Sequence, residues 1–446
     1  MIEIDVAIVG GGFSGCAVAA NLSRRAGSDC AVTLFEPSEL GRGAAYGTRH
    51  REHLLNTRVK QMSLYAHDPD DFARWLGPRG GPNDFVSRRT YGAYVADIAR
   101  RAFERPRFTH VHDRVCAVRR APHGGFVVES ESGLRMQARS VVLAVGNLPP
   151  NDDWLPRAVR LHPGYVADPW RFDYSVVGGH VLVIGAGLTA LDVLVALQAC
   201  GHRGSVDIVS RNGRFPTVHA DVAPYDVIPA LDTQGARLLM HSFRRHVAEA
   251  AERGFDWRAV LDALRPEAEA IWRRLPPAEQ RRFERHVRRQ WERHRHRAPG
   301  AEDEVRAAYA RSGRLHTYAG RLAGMDRGVA SIALRDGTTI ELRPDWIVNC
   351  VGLGNAATMR RDPLLAAMLA DGLVTFDDGG LGLRATPDLA AVVADGQSVP
   401  DLWIVGPPVR GSRFEAIAVP ELRVMAELVA GNILRSTRPD TVFLEA

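Results

Sequence analysis

Lysine is almost absent from this chain. Of 57 Lys and Arg among 446 residues one is lysine, Lys60 in the stretch NTRVKQ, and every other basic position of that kind is arginine. Cysteine is scarce as well. Cys16, Cys30, Cys116, Cys200 and Cys350 are scattered, with no CxxC and no metal-like spacing to histidine. That excludes a redox-active dithiol and a zinc ribbon, and since most of the five sit in apolar runs they read as small core residues in a reducing compartment. No apolar run approaches the ~18 residues of a membrane span. The chain enters a strand within a few residues of its start, with no room for the regions of a signal peptide. A cytoplasmic location with no membrane partner is the expectation.

Charge excludes a further class. The formal net charge is +5, and residues 241–298 hold 15 Arg against 9 Asp plus Glu. No aromatic-interleaved basic strand accompanies them, so a solvated helical face is expected rather than a nucleic-acid partner. His294 and His296 in HRHR lack HxxxH spacing and a carboxylate pair, so no metal site is expected. What remains, at 46% apolar and 24% charged residues, is an ordinary globular chain long enough for two or three folding units and a buried cofactor.

Two stretches carry the chemistry. IDVAIVGGGFSG reads as a buried parallel strand running into Gly10, Gly12 and Gly15, a GxGxxG turn that opens the helical run CAVAANLSRR. Such glycines permit a tight turn, close approach of a pyrophosphate and close helix–strand packing, and the helix N-terminus offers its unpaired N–H groups to phosphate. The next strand, AVTLFE, ends on Glu36, where an acid grips ribose hydroxyls. The unit recurs in HVLVIGAGLTALDVLVALQACGHRGSVDIVSR. Gly185 and Gly187 match, Ala190 takes the third position, and Ser210–Arg211 stands where the first unit has Glu36. An acid there would repel a 2′-phosphate, whereas Ser and Arg bind one. NADPH is therefore expected at Gly185, Gly187, Thr189, Ser210 and Arg211, and a flavin dinucleotide at the first turn.

The expected fold class is α/β, with two Rossmann-like dinucleotide-binding domains, the second inserted in the first. SVVLAVGNLPP and DWIVNCVG both read as strands returning to the first sheet. On that reading the FAD-binding domain spans 1–150 plus 345–446, and the NADPH-binding domain 176–344. Residues 230–310, rich in Ala, Leu, Glu and Arg at helical spacing, form a helical insertion that offers a substrate entrance or a homodimer contact. Residues 313–343 alternate and contain Asp-Gly, a hairpin signal.

The blocks GRGAAYGT, HLLNTRVKQMSLYAHDPDDFARWL, SRRTYGAYV, HRHRAP and VGPPVRGSRFEAIAVPELR together resemble a bacterial FAD/NAD(P)-binding family that includes an FAD-dependent urate hydroxylase. More distantly the chain resembles the class B flavoprotein monooxygenases, particularly the amine N-hydroxylases. The resemblance implies hydride transfer from NADPH to FAD, a C4a-(hydro)peroxyflavin formed with molecular oxygen, and hydroxylation of a small polar nitrogen-containing substrate. That substrate is an amino acid, an amine or a purine-like ring such as urate. The resemblance also adds Met62, Gly146, Gly406, Arg410 and Glu415 to the flavin site. Arg410 has a plain alternative as the ion-pair partner of Glu415.

Lys60, Gln61 and Arg410 are the catalytic candidates. An amine beside the flavin can lose its proton when desolvated, which a guanidinium does not. The alternative is that Lys60 survived by chance in an arginine-rich chain. His219 follows SRNGRFP and is a site-lining candidate. NTRVKQ is more polar than the small apolar residues and proline the resemblance leads one to expect, so urate itself does not transfer directly. Two other readings stay open: an NADPH-dependent flavin oxidoreductase or oxidase without oxygen insertion, and a non-catalytic FAD/NADPH sensor.

Overall fold

In the computed structural model, residues 2–26, 30–150, 152–352, 354 and 356–436 are described. The chain divides into two compact units: residues 1–51, 57–151 and 353–446 form the first, and residues 52–56 and 152–352 the second. Strands β1 (Ile2–Val9), β2 (Val32–Phe35), β3 (Phe108–Val111), β4 (Val115–Arg120), β5 (Phe126–Ser130) and β6 (Arg135–Leu143) come first. The second unit supplies β7 (Tyr165–Val166), β8 (Val181–Ile184), β9 (Val206–Ser210), β10 (Leu315–Asp326), β11 (Val329–Leu334), β12 (Thr339–Leu342) and β13 (Trp346–Asn349). The chain then returns with β14 (Ala390–Val392) and β15 (Ser398–Ile404).

The first sheet runs β14-β15-β6-β1-β2-β3, with the β4–β5 hairpin branching from β6. From β15 to β3 its strands are parallel. Val6 to Val9, Val32 to Phe35 and Val141 to Leu143 are buried, as strands covered on both faces must be. The helix Phe13–Arg25 follows β1, with ten consecutive buried residues from Phe13 to Leu22. Small side chains at Gly15, Cys16, Ala17, Ala19 and Ala20 suit that close packing. It lies against the helices Arg88–Ala102 and Val419–Ser436. Ser87 caps the former by accepting from Thr90 N at 3.1 Å.

The second sheet runs β12-β11-β10-β9-β8-β13-β7, parallel from β10 to β7. Here the structure corrects the sequence reading: DWIVNCVG does not return to the first sheet. It forms β13, hydrogen-bonded between β8 and β7. The first sheet is closed instead by β15 on β6. β13 thus stands to β8 as β6 stands to β1, because a nucleotide-binding strand needs a parallel neighbour on the side away from its crossover helix.

Helices Ala236–Glu252, Trp257–Leu264, Ala268–Arg274, Pro277–His286 and Arg288–Arg295 make the insertion. A small core of Tyr225, Ala250, Ala259 and Val260, flanked by Phe243, Val247 and Phe255, belongs to it. The next helix, Gly300–Arg311, packs on Leu188–Ala199 and puts Tyr309 into the core of the nucleotide unit. It is part of the second α/β layer rather than of the insertion. No described helix is long and apolar enough to cross a membrane.

Candidate functional site

Each unit builds its own nucleotide turn. In the first, Gly10 has φ +101°, and a Cβ on it would stand 2.5 Å from Ala144 O on the neighbouring strand. A Cβ on Gly15 would stand 1.9 Å from Gly10 O. These two glycines let strand, turn and helix close on one another. Gly12 does something different. It begins the helix Phe13–Arg25 with no side-chain cap, and a Cβ there would meet nothing nearer than Gly43 Cα at 3.7 Å. Two facing glycines leave backbone N–H groups and open space at a positive helix end, a cradle fitted to a pyrophosphate.

Glu36 closes the first site. Its carboxylate accepts from Gly11 N at 2.9 Å, from Ser38 N at 3.0 Å and from Ser38 Oγ at 2.5 Å. A carboxylate held at both oxygens is oriented for ribose hydroxyls. Gly406, with φ +97°, comes to the same place: a Cβ on it would lie 2.7 Å from Ser14 Oγ. Gly146 has φ +70° and open space at its Cβ position, while Met62 and Glu415 are buried. Just after Gly146, Asn147 Oδ1 is buried without a hydrogen-bond partner, an acceptor whose donor a bound group can supply. The donor set and the open turn therefore fit a flavin dinucleotide.

Arg410 fastens backbone around it. Its Nε donates to Leu381 O at 2.9 Å and its Nη2 to Gly354 O at 2.6 Å, tying three backbone segments together. Lys60 and Gln61 lie on a 3-10 turn, Val59–Gln61, where Val59 N donates to Asp84 O and Lys60 N to Pro82 O. Lys60 is exposed.

Sequence reasoning missed the second glycine cluster of this site. In GRG, Gly41 packs a left-handed turn against the backbone of Ala96, and Gly43 faces Gly12. The signal was there to be read, as two glycines flanking an arginine just beyond the ribose acid.

The second turn repeats the first. A Cβ on Gly185, at φ +110°, would stand 2.5 Å from Cys350 O, as Gly10 does against Ala144. Gly187 starts the helix Leu188–Ala199 uncapped, with nothing within 4 Å of its Cβ position. Ala190 is fully buried and Thr189 half-buried in the first turn. Backbone register settles the comparison of the two second strands: Gly10 N donates to Phe35 O, and Gly185 N to Val209 O. The next residues, Glu36 and Ser210, are therefore equivalent. Ser210 Oγ accepts from Gly213 N at 3.1 Å, and Arg211 is exposed beside it.

His219 is a fastener. Its N donates to Ala298 O, and its Nε2 lies 3.0 Å from Asn56 O. That carbonyl belongs to the strap 52–56, whose fully buried His53 places Nε2 3.0 Å from Asp192 O. His296 pairs with Glu292 at 3.0 Å, and among the described residues no cluster of ligand-type side chains fits a metal ion. Burial pushes the Cys16 thiol up to about 12 and Cys350 well above the ordinary thiol range. All five cysteines are unbridged.

Comparison with known proteins agrees with this geometry. Residues 7–148 match a family model described as FAD-NAD(P)-binding. Residues 81–224 match the L-lysine 6-monooxygenase/L-ornithine 5-monooxygenase family. No curated protein matches the sequence. Among solved structures, L-lysine 6-monooxygenase from Pseudomonas syringae is 17% identical, with TM-score 0.66 over 98% of this chain and 100% of that one. The ornithine N-hydroxylase of Kutzneria sp. 744, in a structure named for reduced FAD, NADP+ and L-ornithine, is 15% identical, with TM-score 0.60 over 98% and 100%. The bacillithiol disulfide reductase of Bacillus cereus is also 15% identical, with TM-score 0.57 over 97% and 99%. At these identities the likeness establishes the fold alone, two Rossmann-type domains, and that fold serves more than one chemistry.

Proposed function

We infer that this chain, an FAD- and NADP-binding flavoprotein with a segment of the lysine/ornithine monooxygenase family, is an NADPH-dependent monooxygenase that N-hydroxylates an amino acid or a closely related amine. The observation that carries the reading is the match of residues 81–224 to that family, because the fold is shared with disulfide reductases. The cysteines argue the same way. No CxxC exists in the sequence, and burial raises the Cys16 and Cys350 thiols, which disfavours either of them as a thiolate nucleophile.

Gly10, Gly12, Gly15 and Glu36 would hold the FAD pyrophosphate and ribose, with Met62, Gly146, Gly406 and Glu415 lining the remainder. Gly185, Gly187, Thr189, Ser210 and Arg211 would hold NADPH. The bound flavin supplies hydride acceptance and oxygen activation. The chain's own contribution is placement: backbone N–H groups would take the phosphates and Glu36 the ribose. Arg410 fixes the segments at Leu381 and Gly354 by hydrogen bonds to their carbonyls. The substrate is a small molecule, and its co-substrate is molecular oxygen. Free thiols at all five cysteines support a reducing, cytoplasmic setting.

The test is oxygen consumption by the FAD-loaded protein with NADPH, with hydroxylamine product and peroxide measured for lysine, ornithine, other amines and urate. Product formed in proportion to NADPH with one amino acid supports the reading. Peroxide in full yield with every compound would replace it with an oxidase. A hydroxylated purine would move the substrate to the urate class.

A further inference from the structure

The register of the second sheet ends β9 on Ser210 and releases the chain into the turn Arg211-Asn212-Gly213-Arg214-Phe215. The distal end of the helical insertion is pinned to that turn. Arg293, on the helix Arg288–Arg295, donates from Nε to Phe215 O at 3.0 Å. Its own carbonyl accepts from Thr217 N at 3.0 Å and from Thr217 Oγ1 at 3.1 Å. Five residues on, Ala298 pairs with Val218 in a parallel bridge. The hydrogen bond to Phe215 thus brings the half-buried Arg293 guanidinium beside Arg214, the residue before it.

Two guanidiniums held together repel. Burial and the neighbouring charge of Arg214 push the Arg293 guanidinium below its ordinary range. No carboxylate among the described residues pairs with Arg211, Arg214 or Arg293. Elsewhere in the insertion arginines do find acids: Arg282 meets Glu279, Arg288 meets Glu284 and Glu292, and Arg297 meets Asp262. Arginines left without an acid, in the turn that follows the position of the ribose acid, are complementary to a dianion with several acceptor oxygens.

We propose that Arg214 and Arg293, together with Arg211, form the pocket for the 2′-phosphate of NADPH, so that the helical insertion supplies part of the coenzyme selectivity. The assignment rests on the reading of the second unit as the NADPH-binding one. The pyrophosphate takes the uncapped helix end at Gly187, and the guanidiniums take the phosphate that NADH lacks. Arg293 can serve with its two terminal nitrogens, since its Nε is committed to Phe215.

Calorimetric titration of the FAD-loaded full chain with NADP+ and with NAD+ tests this without turnover. Arg214→Gln and Arg293→Gln are each expected to weaken NADP+ by about 10- to 100-fold, the range for losing a charge-assisted hydrogen bond. NAD+ should stay within about twofold, and Arg293→Lys should recover part of the loss. If wild type binds NADP+ and NAD+ alike, the NADPH reading and this pocket fall together. If wild type discriminates and both glutamine variants keep the full ratio, the pocket alone falls and Ser210 and Arg211 carry the preference. Equal weakening of both nucleotides by Arg293→Gln would make Arg293 a loop anchor only. Should that variant fail to fold, the exposed Arg214→Gln decides.

Discussion

The chain's single lysine marks the limit of what composition can say. A residue type used once invites a catalytic reading, yet Lys60 sits exposed on a 3-10 turn whose backbone is held by Pro82 and Asp84. At an exposed position arginine offers a cation of the same sign on a stem of similar length. Lys60→Arg is therefore expected to retain full coupled turnover, measured as product formed per NADPH consumed. A selective loss of coupling would restore the idea that the amine itself reacts. Histidine behaves in the opposite manner, because a carboxylate partner decides it against the opposing effect of burial. His180 Nε2 lies 2.5 Å from Asp207 Oδ2 and Nδ1 3.0 Å from Arg343 O. The hydrogen bond to Asp207 raises its pKa above the ordinary 6.5. A raised folded-state pKa contributes stability that is complete below the unfolded value and is lost as pH rises through the folded one. Melting temperature should fall over that window in wild type. His180→Gln should flatten the fall, and an unchanged slope would remove His180 as its source.

At the scale of elements, turns were more legible than pairings. Both GxGxxG-type turns could be read directly, because positive φ and close backbone approach admit only glycine or a very small residue, and those residues are visible as letters. The fate of DWIVNCVG was not legible. An apolar tetrapeptide fits any parallel sheet edge, and only the completed neighbours decide that it hydrogen-bonds to β8 rather than to the first sheet. The boundary of the insertion was missed for a related reason. Gly300–Arg311 has the same composition as the helices before it, and what assigns it to the nucleotide unit is its contact with Leu188–Ala199. A buried tyrosine shows how elements are then tied. Tyr94 OH donates to Asp71 Oδ2 at 2.5 Å and accepts from Leu64 N at 3.0 Å, linking the helix Arg88–Ala102 to the segment 64–71. Tyr94→Phe strands a buried N–H and a carboxylate oxygen at little change in volume. A loss of about 1–3 kcal/mol is expected in urea unfolding; a loss under ~0.5 kcal/mol would mean water replaces the hydroxyl.

At the scale of the whole molecule, two nucleotide turns in two compact units predict two separable ligand effects. A ligand that binds only the folded chain stabilises it by about 2.7 kcal/mol at one hundred times its dissociation constant. Thermal unfolding of the apoprotein should therefore shift upward with FAD. NADP+ should add a further shift that Arg211→Ala reduces while leaving the FAD shift intact. Loss of both shifts in that variant would show that Arg211 supports the fold rather than a coenzyme. The same separation explains why activity is harder to read than cofactors. Cofactor turns are local in sequence, each contained in a strand, a few glycines and a helix, whereas substrate contacts are gathered from loops far apart in the chain.

The sequence by itself determined the α/β class, the two dinucleotide turns, the acid at Glu36 and its replacement by Ser210 and Arg211. Each of these follows from short-range sterics or charge, which a run of letters displays. Tertiary structure decided the rest. It placed β13 in the second sheet, made His219 the fastener of the strap 52–56, committed Arg410 to two carbonyls and left Lys60 in solvent. It also brought Arg293, nearly eighty residues along the chain, to Phe215. Those outcomes depend on which surfaces meet and which charges end without a partner, and such long-range balances are fixed only when the chain has folded.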